Sequence, residues 1–518
     1  MANTKLFASL VGRLIPATDA LNEERAPAYA LSSKQKLAQY AATGCLSATF
    51  YASAKDQLSD MLAVSAGIEP EFIAKTAVYC REKGFMKDMP ALLCAILSTR
   101  DLNLLNSIFY RVIDNSRMLR NFVQILRSGA VGRKSLGTSP KRLVQNWLDR
   151  QDEEELFRSA IGQDPSIEDV IKIVHPKPKT AKQEALYGYL LDRSYDPGSL
   201  PALVRQYEAF KKNETAEIPD VPFLKLTALE LSDVAWRKIA ERVSWQTTRM
   251  NLNTFARHGV FADALMVELV AARLRDAQLI RKARVFPYQL MVGYIMADAT
   301  IPCEIREALQ DAMEVSIDNV PSLTGKIYVC PDVSGSMSSA ITGYRRGATS
   351  AVRCIDVAAL VAAAVVHKNP SAEVLPFEQE VVKIALNPRD TVMTNATKLA
   401  SIGGGGTNCS APLAVLNERN AEGDLVIFVS DNESWVDATH GRGTATMLEW
   451  QRFKARNPSA NMVCIDIQPY GTTQAKERAD ILNIGGFSDA VFDVIARFDA
   501  GSLGSDHWVG EIEAISLN

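Results

Sequence analysis

A change of hydrophobic period near Pro321 constrains the fold of this chain more than any other feature of its sequence. Before it, from about Ser32 to Met313, apolar residues recur at helical spacing, as in Phe72–Lys83, Pro90–Ser98, Asn106–Ile113 and Met118–Ser128. Gly, Pro and Asn mark the joints, and strand-like alternation is rare. Paired antiparallel helices repeating at tens of residues predict a helical solenoid of the HEAT sort, with an irregular all-helical domain as the competing arrangement. After Pro321, strands are predicted at Ile327–Cys330, Glu373–Leu375, Leu425–Val429, Asn461–Ile467 and Ala490–Val494. Helices alternate with them at Ile355–His367, Asp390–Ala400 and Ala445–Arg456. That alternation is the signature of a doubly wound parallel sheet. The predicted division is a leader over 1–30, a helical domain over 31–318 and an α/β domain over 319–518.

With 518 residues the chain is too long for one ordinary core, in keeping with at least two domains. A net charge of −3 and a pI near 6.1 do not announce a nucleic-acid binder, yet a local basic patch fits inside a neutral average, so the average excludes nothing. Eight cysteines include no CxxC pair and the five histidines are dispersed, which argues against zinc and for buried thiols in a reducing compartment. No run approaches the ~20 apolar residues that span a bilayer, and Leu6–Ile15 lacks a signal-peptide cleavage site. The expected location is the cytoplasm.

The stretch Gly325–Ser339, GKIYVCPDVSGSMSS, carries the clearest chemistry. A short apolar strand ends at Pro331, and Asp332, Ser334 and Ser336 follow at alternate positions on a loop. A carboxylate and two hydroxyls so spaced can point into one cup, and hard oxygens suit Mg²⁺ or a similar divalent ion. Gly403–Ser410, GGGGTNCS, is a loop able to bring Thr407 to the same place, and Asp424–Asp431, DLVIFVSD, is a second buried strand ending in a carboxylate. Ligands of open parallel sheets collect at the carboxyl ends of the strands, where Asp332 and Asp431 both fall. These fragments, in this order, resemble the metal-ion-dependent adhesion site of the von Willebrand factor A domain. The resemblance places Asp332, Ser334, Ser336, Thr407 and Asp431 on its five metal positions.

The helical half supplies three groups of basic residues. Arg111–Arg150 is rich in them: Arg117, Arg120, Arg127, Arg133, Lys134, Lys141, Arg142 and Arg150. Its Gly132–Pro140 loop sets Arg133 and Lys134 beside hydroxyls and free amides, good phosphate partners, and Ser139 is the predicted cap of the helix carrying Lys141 and Arg142. A second group is Lys172, His175, Lys177, Lys179 and Lys182. The third comprises Arg237, Lys238, Arg242, Arg249, Arg257 and His258, with Trp236 and Trp245 among them. Basic groups near aromatic faces suit single-stranded RNA, although Trp at helical spacing is more often core, and lysine clusters are often no more than solvated helix faces.

Three helical stretches resemble the TROVE domain of the Ro autoantigen family: Val78–Pro90 (VYCREKGFMKDMP), Arg249–Leu265 (RMNLNTFARHGVFADAL) and Arg284–Leu290 (RVFPYQL). That family joins a ring of HEAT-like helices to a C-terminal von Willebrand A domain, and the resemblance covers about residues 30–518. It implies binding of small noncoding Y-like RNA on the outer face of the ring. It also implies that single-stranded 3′ ends of misfolded RNA enter the hole, in RNA quality control and decay alongside an exoribonuclease. Ile167–Pro178, IEDVIKIVHPKP, resembles the ring-surface RNA site and points to Lys172 and His175; the channel is assigned to the group of Arg249, Arg257 and His258.

No nuclease constellation, nucleophile elbow or phosphate loop stands out, so the expectation is a monomeric RNA-binding protein with a divalent ion, without enzymatic activity or membrane association. The rival expectation is a metal-dependent protein-interaction module without an RNA role, which the acidic pI favours.

Overall fold

The computed structural model describes residues 15–43, 53–162, 165–213, 217–283, 285, 287–317, 320, 322–341, 352–438, 443–486, 489–501, 503 and 507–517. Most of the apolar stretch Leu6–Ile15 and the boundary positions 318, 319 and 321 lie outside them. Two compact units emerge. One takes the described residues of Met1–Ile68, Phe286–Val292 and Met313–Ala514; the other takes Glu69–Val285, Gly293–Ala312 and Ile515–Asn518.

The first unit is built on strands β1 (Ala20–Leu21), β2 (Pro27–Ala30), β3 (Ile327–Pro331), β4 (Glu373–Val374), β5 (Leu425–Ser430), β6 (Asn461–Asp466), β7 (Thr472–Thr473) and β8 (Ile481–Gly485). Five of them form one parallel sheet in the order β4-β3-β5-β6-β8. β3 and β5 are buried at every position, which is why they read as unbroken apolar runs: helices cover both faces of such a sheet. Their register, Ile327 opposite Leu425 through Pro331 opposite Val429, brings both strands to an end side by side. In strand sequence the order is 2-1-3-4-5, and the direction of winding reverses between β3 and β5. A doubly wound sheet offers its ligand crevice at that switch point.

Among the described residues the last strand is β8, not Ala490–Val494. Asp489–Asp499 is a helix, burying Val491, Val494, Ile495 and Phe498 at helical spacing. Short apolar runs do not distinguish the two states, and the longer period decides here. A further helix, Ala411–Glu418, follows the glycine loop.

The stretch between residues 15 and 43 is part of this unit. β1 and β2 pair antiparallel, and β2 continues onto β7 through Tyr29 opposite Thr473. Tyr29 is fully buried in the core that holds Phe428, Trp450 and Phe453; burying an aromatic of this size contributes about 1.5–3 kcal/mol. Helix Ser33–Thr43 packs on β8 and on helix His507–Glu513, and Lys34 pairs with Glu513 at 2.6 Å. The compact division therefore differs from a cut at residues 31 and 319: these early residues complete the α/β unit.

The second unit is helical, with no strand among its described residues. Helices Pro70–Glu82, Asp88–Arg100, Leu102–Val112 and Ser116–Arg127 pack in succession, and Met89–Ser98 is buried all round because neighbours cover every face. Side-chain caps fix the starts: Asp101 and Asn115 accept from first-turn amides, and Ser166 with Asp169 forms a reciprocal capping box. Among the described residues no helix is long and apolar enough to cross a membrane.

Candidate functional site

Two places in the molecule concentrate unusual chemistry. The first is at the ends of β3 and β5. The Asp332 amide donates to Val429 O (2.9 Å), so the ladder runs one residue past Pro331 and holds the Asp332 backbone rigidly. Its carboxylate accepts from the Ser334 amide (2.8 Å) and the Ser430 hydroxyl (2.6 Å). Ser334 and Ser336 share a hydrogen bond at 3.3 Å, and Asp431 is held by the Ser336 hydroxyl and the Glu433 amide.

The glycine loop is fastened to this constellation. Gly335, between the two serines, donates to Gly405 O at 2.9 Å, and Gly405 in turn donates to the Glu378 carboxylate at 2.7 Å. Gly403 and Gly404 have φ of 152° and 127°, a path that other residues rarely take. Thr407, three residues after Gly404, is buried, and its carbonyl accepts from Trp435 and Val436. Asp332, Ser334, Ser336 and Asp431 are thus held close by shared hydrogen bonds, the loop carrying Thr407 is tied to Gly335, and all five residues are buried.

Electrostatics set this place apart. Burial, reinforced by the charge of Asp431, raises the Asp332 carboxyl well above the usual carboxylate range, and burial raises Asp431 too. Burial and Asp431 push Glu433 up to about 9, and burial with the same neighbours raises Asp466. None of these four acids has an ion-pair partner among the described residues, and Glu433 Oε1 and Asp466 Oδ1 have no hydrogen-bond partner. Leaving buried carboxylates unpaired is costly. Two carboxylates and three hydroxyls are a hard-oxygen donor set, so the residues present fit a small divalent cation. Sequence reasoning missed Ser430, Glu433 and Asp466; Ser430 and Asp466 sit at the last positions of β5 and β6, where a polar residue ends an apolar run.

The second place lies in the helical unit. A cavity of about 500 Å³ is lined by Arg127, Lys134, Ser135, Leu136, Gly137, Thr138, Lys141, Arg142, Gln145 and Ile173. None of the four cations forms an ion pair among the described residues, and the lining contains no acid. Helix Thr138–Arg150 begins here with Gly137, φ 70°, as its N-cap, so Ser139 lies inside the helix and is not the cap. Gln145 Nε2 donates to Val174 O at 2.6 Å and ties this helix to Ile167–Val174. Lys172 and His175 are exposed on and just after that second helix, beside Ile173 of the cavity wall.

Other cations of the same stretch have structural work instead. Arg111 pairs with Glu82 at 2.9 Å, Arg120 is buried and reaches Pro165 O, and Arg150 lies over the Tyr110 ring at 3.5 Å. Arg133 packs behind the helix start: one of its nitrogens is buried without a partner, and another would lie 3.2 Å from a Cβ at Gly137. Lys179 is paired with Asp149 at 2.7 Å, which narrows the second basic group.

The third group is not drawn together in the same way. Trp236 and Trp245 are core residues; Trp236 packs with Phe255 and Met266, and Trp245 Nε1 donates to Leu274 O. His258 stacks on Trp236 with ring centres 4.1 Å apart, Arg257 is exposed, and Arg249 is buried against Gln246 and Gly293. The indoles are occupied as packing, which leaves no open stacking platform at these two residues.

A helical unit joined to a doubly wound sheet with a Ser/Thr/Asp cup at its switch point defines a helical-repeat protein carrying a von Willebrand A-type domain. Residues 326–499 match the family model described as the Ro60 vWA domain. The RNA-binding protein RO60 of Deinococcus radiodurans is 23% identical, over 94% of this chain and 98% of its own length. The RNA-binding protein RO60 of Caenorhabditis elegans is also 23% identical, over 68% of this chain and 58% of its own. The crystal structure of the Deinococcus radiodurans RO (RSR) protein superposes with a TM-score of 0.64 at 18% identity, covering 91% of this chain and all of that one. Residues 326–499 are thus similar to the vWA domain of Ro proteins, and the chain resembles such proteins over most of its length.

Proposed function

We propose that this chain is an RNA-binding protein of the Ro type that works by holding RNA and has no chemistry of its own. The observation that carries the reading is the cavity where Arg127, Lys134, Lys141 and Arg142 converge without a single lining acid. Unpaired cations beside hydroxyls and a helix start are what a phosphate backbone needs. The names of the two relatives, RNA-binding protein RO60, support it. Lys172 and His175 extend the patch toward a folded, Y-like RNA on the outer face of a helical ring, and Arg257 and His258 face single-stranded 3′ ends. In this reading the complex serves RNA quality control in the cytoplasm, with an exoribonuclease as partner and the protein as a monomer.

Asp332, Ser334, Ser336, Thr407 and Asp431 would hold Mg²⁺ or a similar ion, which when bound neutralises the buried acids and offers an open coordination position. Trp435 and Val436, 44% and 38% exposed beside Thr407, favour a second role for this domain in docking a protein partner. The test is a filter-binding titration of a structured small RNA at two salt concentrations. Affinity falling steeply with salt is expected; salt-independent binding, or none, defeats the reading.

A further inference from the structure

The cavity between helices Ser116–Arg127, Thr138–Arg150 and Ile167–Val174 has more capacity for negative charge than one link of an RNA chain supplies. Its wall combines four cationic side chains, from Arg127, Lys134, Lys141 and Arg142, with the hydroxyls of Ser135 and Thr138. The amide of Thr138 adds a donor. Gly137 has no side chain with which to cap it, and that amide meets no protein acceptor among the described residues. A phosphodiester within a chain carries one charge and two free oxygens, too few for this set. A terminal phosphate monoester carries about 1.5–2 negative charges near neutral pH and three acceptor oxygens.

Size and lining agree with an occupant larger than phosphate alone. About 500 Å³ lies within the ~300–1,000 Å³ typical of concave sites for small organic ligands. Leu136 and Ile173 give the lining an apolar part, against which a ribose or base can lie. Gln145, tied to Val174 O, fixes the two helices that carry most of the wall.

We propose that this cavity seats the terminal nucleotide of an RNA bearing a phosphate monoester, so that the protein distinguishes phosphorylated ends from hydroxyl ends. The proposal rests on the RNA-binding reading and adds an end preference to it. The phosphate sits at the start of helix Thr138–Arg150 among Lys141, Arg142 and Lys134, and the nucleoside lies toward Leu136 and Ile173. Because the second ionisation of the monoester has a pKa of about 6, the preference shrinks as pH falls below that value.

The experiment uses the full chain and one short oligoribonucleotide made in three forms: with a 5′-phosphate, with a 3′-phosphate, and with hydroxyls at both ends. Fluorescence anisotropy gives the affinity of each at pH 7.5 and pH 5.5, for the native protein and for Lys141→Gln and Arg142→Gln. Tighter binding of one phosphorylated form, by roughly tenfold over the hydroxyl form, is expected. Which form it is identifies the end that enters. That ratio should fall toward one at pH 5.5 and in both variants, whose thermal melts, matching that of the native protein, show that they remain folded. Equal, salt-dependent binding of all three forms overturns the end seat and leaves the RNA-binding reading standing. No binding of any form overturns both.

Discussion

The Ser430 hydroxyl at the end of β5 donates to the Asp332 carboxylate just beyond β3, across 2.6 Å. Two neighbouring strands thus share one buried hydrogen bond at the point where the sheet reverses its winding. It turns one Asp332 oxygen toward β5 while the Ser334 amide holds the other (2.8 Å), so the carboxylate has little freedom left. Supporting groups of this kind set how well a metal ligand is presented.

Ser430→Ala should therefore weaken metal binding without removing it. A loss of roughly 10–100-fold in Mn²⁺ affinity is expected, read by isothermal titration calorimetry, with the fold retained. Unchanged affinity would mean that Ser430 only fills space.

Asp332→Ala should go further. Addition of Mg²⁺ after chelation should raise the melting temperature of the native α/β unit, because an ion at 100 times its Kd adds about 2.7 kcal/mol. The variant should show no such rise, and elemental analysis should find no bound ion. A variant that retains both would refute the ligand assignment.

On the helical unit, Lys172→Glu together with His175→Glu should weaken binding of a folded RNA more than binding of a short single strand. Both side chains are exposed, so stability should change little. Equal losses for both RNAs would contradict the division between an outer face and a separate single-strand site.

Lys225 predicts a pH dependence of stability. Burial holds its amine down at about 8, with nearby Glu168 favouring the charge and Lys211 opposing it, and its Nζ lies 4.2 Å from the centre of the Phe157 ring. A lysine whose pKa is lowered on folding binds fewer protons folded than unfolded between about 8 and the ordinary value near 10.4. Its contribution to stability therefore rises with pH across that window and is least favourable below it. Lys225→Met should melt higher than the native protein at pH 7, and the gap should narrow by pH 10. A gap independent of pH would show that folding leaves the Lys225 pKa unshifted.

The parts legible in the sequence were those whose local pattern matches their final environment. β3 and β5 read as buried strands because both faces are covered, and the carboxylates of Asp332 and Asp431 were legible as residues that follow two such strands. Lys134, Lys141 and Arg142 could be found because the surrounding stretch has few acids. Long-range pairing was not legible: β1 has two residues, and β2 meets β7 more than 400 positions away. Nor could Arg120 and Arg150 be told from Arg127 and Arg142, because composition cannot say which cation a neighbouring ring or carbonyl has already engaged. Ser430 resembled any residue ending a strand until its partner across the sheet was known.

Ultraviolet crosslinking of bound RNA, followed by identification of the crosslinked peptides, tests the central claim most directly. The account predicts crosslinks in peptides from residues 127–145 and 167–175, which fade as salt rises. Crosslinks confined to the α/β unit, with none around the cavity, would contradict it.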